Sequence, residues 1–199
     1  MADPKVTADS ILRQLTREVW VVTAATDYRR GGLTATWVHP VSLDPQLPLL
    51  LAAIAPNHFT AELIDEAGVF VAHLLADDQQ ALAVRFALKS GRDTDKFERL
   101  EFETLESGAP LLGDCVAALE CRVLARLATG DRTFYWGAVV RTIAPRPTAP
   151  PLVDRTFFGR LSTDERVILF ENLQADLAVQ RPAQAAWFAT LPESLRPTV

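Results

Sequence analysis

Residues 31–60 read GGLTATWVHPVSLDPQLPLLLAAIAPNHFT, and this stretch decides the architecture. Gly31 and Gly32 are placed in a turn, because paired glycines reach positive φ at no steric cost. From Leu33 to about Val41 the Thr, Trp and Val content suits a pleated surface. Pro40 donates no ladder hydrogen bond and implies an edge or a bend. Pro45 and Pro48 fix a loop, and Leu49–Ile54 is apolar and short enough to be a strand buried on both faces. Asn57 then caps a helix whose first N–H groups have no acceptor inside it. Phe59, Leu63 and Ala67 share one helix face, and Gly68 takes the C′ position. Two strands and an N–H-rich helix end can thus converge on one place, a geometry that holds a flat ring carrying a phosphate.

Around this stretch the chain is strand-rich. A helix over 8–17 places Ile11, Leu12 and Leu15 on one face, with Asp9 or Ser10 as its cap, and a strand follows at Val19–Ala25. Val69–Leu75 reads as a strand, and a helix runs from about Asp77 to Ser90 with Gly91 at its end. Residues 92–113 are polar and turn-rich, anchored by Phe97, Leu100 and Phe102. The clearest hairpin pairs Val116–Leu127 with Thr133–Ile143 across Thr129–Arg132. The prolines from Pro145 to Pro151 make an extended rim loop, and a helix spans Asp164–Val179. Trp187 and Phe188 give the proline- and alanine-rich tail something to dock with. Six or more strands, often joined without a helix, do not fit a doubly wound parallel sheet. They fit a mainly β protein with flanking helices: a closed or partly closed antiparallel barrel.

The 199 residues, 49% hydrophobic and 23% charged, suit one folded domain or a domain with an appendage. A net charge of −5 argues against nucleic acid as a partner. No apolar run is long enough for a membrane span, and the N-terminus does not read as a secretory leader. Cys115 and Cys121 sit six apart in one predicted strand, about 20 Å at roughly 3.3 Å per residue, too far to bond. Two buried thiols place the protein in the cytoplasm. His39, His58 and His73 have no metal-ligand spacing, and no metal site is expected. No nucleophile elbow, catalytic triad or Gly-rich phosphate loop occurs either, so any redox or group-transfer chemistry would fall to a cofactor.

Thr34 and Thr36 lie two apart on one strand face; β-propensity explains them as readily as a ligand does. Asn57-His58-Phe59-Thr60 is either an ordinary cap or a phosphate seat. Trp37 is a core residue or a wall for a flat ring, and Arg85 a solvated flank or a phosphate-facing cation. Asp131-Arg132 is, by default, a turn.

Taken in order, several segments carry a family pattern: Gly32-Leu33-Thr34-Ala35-Thr36, Val41-Ser42-Leu43-Asp44-Pro45, Asn57-His58-Phe59-Thr60 and Gly68 to Leu75. Arg85-Phe86, Asp95-Lys96-Phe97, Pro110-Leu111-Leu112, Leu119 to Val123, Gly130-Asp131 and Trp136-Gly137 continue it. The set, over roughly residues 18–143, resembles the flavin reductase-like family. These are FMN-binding split-barrel proteins that include the reductase components of two-component flavin monooxygenases. The resemblance implies an antiparallel, Greek-key-type split barrel, set at residues 1–154; residues 155–199, which it does not cover well, are expected to be a helical extension packing on the barrel or on a dimer partner. It implies a homodimer that binds FMN, with FAD as the alternative, and reduces flavin with NADH or NADPH, sometimes for a monooxygenase partner. Carried over by position, Thr34, Ala35, Thr36 and Trp37 line the isoalloxazine. Ala53, Ala55, Pro56, Asn57, His58 and Thr60, with Arg85 nearby, hold the ribityl phosphate.

Two positions depart from the pattern. Arg132 stands where the family's hairpin tip has a histidine associated with the nicotinamide and flavin, and a permanent cation cannot exchange a proton near pH 7. As a catalytic residue, Arg132 would stabilise charge on the reduced ring or bind a nucleotide phosphate. His58 stands where a hydroxyl residue is common. The alternatives are a flavin-binding protein without reductase activity, serving as electron carrier or flavin-binding module, and a split-barrel binder of another phosphate such as a pyridoxal type.

Overall fold

The computed structural model describes residues 7–196, so the leader-free reading of the N-terminus rests partly on residues outside the described ones. The strands are β1 (Trp20–Ala25), β2 (Arg30–Ala35), β3 (Val38–Pro40), β4 (Leu49–Ile54) and β5 (Val69–Leu74). Then come the short β6 (Phe102–Thr104) and β7 (Pro110–Leu112), and the long hairpin of β8 (Ala117–Ala128) and β9 (Thr133–Ile143). Seven of them form one sheet in the order β2-β1-β5-β8-β9-β4-β3, antiparallel at every pairing. β2 and β3 are the two outermost strands, although only Thr36 and Trp37 separate them in the chain. The sheet therefore curls into a partly closed barrel. Register shifts at Glu120/Cys121 and Val123/Ala125 sharpen the twist of the hairpin.

β1 is buried on both faces. Trp20, Val22 and Ala24 point into the barrel with Phe70, Ile54, Leu50, Cys121 and Tyr135. Val19 and Val21 point outward into a second layer with Phe86, Phe97, Leu112 and Phe157. Large apolar side chains in these layers contribute about 1.5–3 kcal/mol each. One polar pin joins the strands in the outer layer. The fully buried His73 ring on β5 hydrogen-bonds the Val21 carbonyl through Nδ1 (3.0 Å), and its Nε2 accepts the Leu112 N–H (3.0 Å). Burial, partly opposed by the Val21 bond, lowers its pKa to about 4, so the ring is neutral with its proton on Nδ1.

Gly31 and Gly32 lie inside β2 rather than in a turn. A Cβ on Gly31 would stand 2.8 Å from Leu63 Cδ1, and one on Gly32 2.7 Å from Phe86 Cε1. The pair is there so that two helices can approach the strand closely: α2 (Phe59–Ala67) through Leu63 and α3 (Gln80–Leu88) through Phe86. The first helix is one short turn, α1 (Ala8–Leu12), capped by Thr7. Ile11, Leu12 and Leu15 stay exposed and give a longer helix no packed face. After α4 (Asp154–Arg160), the last long helix does not stop at Val179. α5 runs from Thr163 to Thr190, straight through Pro182, with a capping box of Ser162 and Glu165 at its start.

Candidate functional site

A cavity of about 460 Å³ lies between β2, the head of α2, the end of α3, and α4 with α5. Thr34 and Thr36 share its β2 wall, while Ala35 between them packs into the barrel interior. The Thr34 hydroxyl donates to the Ala83 carbonyl at 2.6 Å, which fixes the strand against α3. Asn57, His58 and Thr60 line the end of the cavity where α2 begins. His58, not Asn57, is the N-cap residue, and its side chain makes no capping bond. Both side chains are thus free to face the cavity, beside a helix end whose first-turn N–H groups lack intrahelical acceptors. Gly68 closes α2 at φ 68°.

A carboxylate already sits on these donors. Asp176 of α5 accepts from Asn57 Nδ2 through Oδ1 (2.7 Å), and its Oδ2 lies 2.9 Å from His58 Nε2. Burial pushes Asp176 up, but the hydrogen bond and charge of His58, aided by Asn57 and Arg132, outweigh it and hold the carboxyl below its usual range. Gln180, one helical turn further on, donates to Asn57 Oδ1 (3.2 Å) and accepts from an Arg132 η nitrogen (2.7 Å). The Arg132 guanidinium lies over the Trp37 ring, 5.0 Å from its centroid. Asn57 and His58 line the cavity, and Arg132 with Trp37 stands outside its lining, joined to them through Gln180 and Asp176.

Other expected residues lie elsewhere. Ala53 and Ala55 are buried behind the cavity, the Ala53 N–H bonding the Trp37 carbonyl at 2.9 Å, and Pro56 is exposed beside it. Arg85 does not reach the α2 end. Its guanidinium donates to the carbonyls of Lys96 (2.6 Å) and Glu98, because its position on α3 looks onto that loop. Lys89, Arg92 and Lys96 are the cations that do line the cavity, and the Lys96 Nζ donates to the carbonyls of Gly32 (2.9 Å) and Phe86 (2.8 Å). Burial lowers the Lys96 pKa to about 8. Arg92 donates to the Asn57 carbonyl at 2.9 Å and pairs with Glu62. A larger, more open depression of about 1180 Å³ lies beyond Phe59, but its Arg29, Arg30 and Arg92 are already paired with Glu62, Glu66 and Asp95. Among the described residues, no cluster of His, Cys, Asp and Glu could hold a metal ion, and no helix is long and apolar enough to cross a membrane.

The residues present fit a phosphorylated ring. Hydroxyls and apolar groups line the wall, two side-chain donors and a helix end close one side, and an anion is already held there in the form of Asp176. A curled antiparallel barrel with such a cradle at its edge agrees with the flavin-binding split-barrel class that the sequence resembles. Residues 12–159 match the flavin reductase like domain, and the chain belongs to that family. It is 36% identical over 151 residues to the FMN reductase (NADH) SmoA of Agrobacterium fabrum, covering 76% of this chain and 83% of SmoA. It is 31% identical over 145 residues to the reductase component of the FADH2-dependent resorcinol hydroxylase of a Rhizobium species, covering 72% of this chain and 79% of that one. Among solved structures, the NADH:FAD oxidoreductase SgcE6 of Streptomyces globisporus superposes with a TM-score of 0.65 at 28% identity, covering 77% of this chain and 91% of SgcE6.

Proposed function

We propose that this protein is an FMN-dependent NAD(P)H:flavin oxidoreductase, with FAD as an alternative flavin. The observation that carries the reading is the anion-binding end of the cavity at Asn57 and His58, next to the Thr34 and Thr36 wall, in a chain of this family. FMN bound there supplies the acceptor for a hydride from the nicotinamide. The protein's part is alignment and charge. Asn57, His58 and the head of α2 hold the phosphate, and Thr34 and Thr36 set the plane of the ring. Trp37 borders it, and the Arg132 cation stabilises the negative charge that develops on reduction.

The proposal includes a homodimer, supported by the apolar side chains of Val41, Leu43, Leu124, Leu127 and Val140, all exposed on this chain. It takes residues 1–154 as the barrel domain and 155–199 as a helical extension. It places the protein in the cytoplasm, in keeping with two free buried cysteines, and gives reduced flavin to an oxygenase partner, a reading supported by the similarity to the reductase component of an FADH2-dependent resorcinol hydroxylase. NADH and NADPH oxidation with added FMN tests it, and turnover no faster than free flavin with either donor rules the reductase out. A second reading, a flavin carrier without reductase activity, is favoured by one observation: Arg132 is engaged by Trp37 and Gln180 rather than free over the cavity. Flavin bound at one equivalent, with no turnover, would select it.

A further inference from the structure

We propose that α5 is a built-in competitor of the flavin phosphate, with Asp176 seated in the anion position at the head of α2, so that FMN binding requires this part of α5 to let go. The inference rests on the flavin reading above and goes beyond it.

Three observations support it. First, both Asp176 oxygens are committed to the two side chains, Asn57 and His58, that would receive a phosphate. A phosphate brought to the same donors meets a carboxylate that repels it, so the two anions exclude each other. Second, the hold is polar and local. Gln180 is the only buried residue of the 28-residue α5, and its partners are Asn57 and Arg132, the same end of the site. Toward the start of α5, Leu169 packs on the outer core layer and Asn172 donates to the Leu88 carbonyl (3.0 Å), but Val167, Phe170, Leu173 and Val179 remain exposed, so little apolar burial opposes release around Asp176. Third, the helix has a weak point next to this hold. Pro182 has no N–H to give to the turn before it, two residues after Gln180. The hairpin tip is moulded to the docked helix just there. Gly130 has φ 87°, and a Cβ on it would collide with the Ala183 carbonyl oxygen.

The arrangement predicts a preference that a bare cradle would not have. Asp176 opposes the phosphate and not the ring, so riboflavin, which has no phosphate, is spared the competition.

The test titrates FMN and riboflavin into the full-length protein and into Asp176→Ala and Gln180→Ala, with hydrogen exchange of residues 163–190 followed in parallel. Asp176→Ala is expected to bind FMN more tightly by on the order of tenfold while riboflavin changes little. Gln180→Ala is expected to move FMN binding in the same direction, which guards against a folding defect in one variant. FMN added to the unsubstituted chain is expected to speed exchange in α5. Equal FMN affinity in all three proteins, or slower exchange in α5 on binding, overturns the competitor and leaves the flavin site standing. Binding of neither flavin by any of the three removes the flavin reading itself, and the competitor with it.

Discussion

Arg132 bridges two elements that the chain keeps far apart: its guanidinium lies 5.0 Å from the Trp37 ring centroid and donates to Gln180 at 2.7 Å. A stack at a half-exposed indole is worth about 0.5–1 kcal/mol, and the bond to Gln180 a similar amount. Arg132→Ala should therefore lower stability by about 1–2 kcal/mol in urea melts. If the cation stabilises charge in the reaction, flavin reduction should fall about a hundredfold, far beyond what that stability loss accounts for. A rate within a factor of two of the parent would remove Arg132 from the chemistry.

Gly32→Ala tests why glycine occupies a strand. The added methyl would lie 2.7 Å from the Phe86 ring, which is itself 1% exposed and cannot swing aside. Overpacking of this kind costs about 1–3 kcal/mol. Chemical denaturation should register it, whereas a turn glycine without positive φ would tolerate alanine.

His73 gives the fold an acid-sensitive pin. Its folded pKa of about 4 lies below the ordinary 6.5, so an unfolded chain takes up a proton that the folded chain refuses. The contribution of the neutral ring is complete above pH 6.5, declines as pH falls from 6.5 towards 4, and is lost below that. The shift amounts to at most ~3 kcal/mol. Urea melts at pH 7 and pH 5 should show a difference that shrinks in His73→Gln, and an unchanged difference would assign the acid sensitivity to other groups.

The two thiols should be silent in the native protein. Burial raises Cys115 to about 11 and Cys121 to about 12, so neither is thiolate at pH 8. A thiol reagent should label both only as fast as the protein opens, and labelling on mixing would contradict their burial.

The barrel was legible because its signals are local. Leu49–Ile54 is an uninterrupted apolar run, and the β8–β9 arms alternate on either side of a short polar connection. Gly31-Gly32 misled because the same residue type serves a turn and a tight strand–helix contact, and only the neighbours Leu63 and Phe86 distinguish them. The end of α5 was hidden by Pro182, which the helix accommodates. At the site, Thr34, Thr36, Asn57 and His58, which the family resemblance singles out, line one cavity although β3 and β4 separate them in the chain. Asp176 could not be named, since it meets Asn57 across 119 positions and nothing near it in sequence marks the contact. Lys96 is bonded to backbone carbonyls, which leave no trace in side-chain pattern, while Arg85, which the resemblance puts near the phosphate, reaches the Lys96 and Glu98 carbonyls.

The order of the strands has a consequence for how occupancy of the cavity would be felt. β2 and β3 are the outer margins of the seven-stranded sheet, and the two residues between them are its clasp. Thr36 lines the cavity and Trp37 carries the Arg132 stack, so a molecule held there grips both margins of the hoop at once. Binding at this clasp would stiffen strands that never touch the bound molecule, and the melting temperature of the whole barrel becomes a reporter for whatever the cavity accepts.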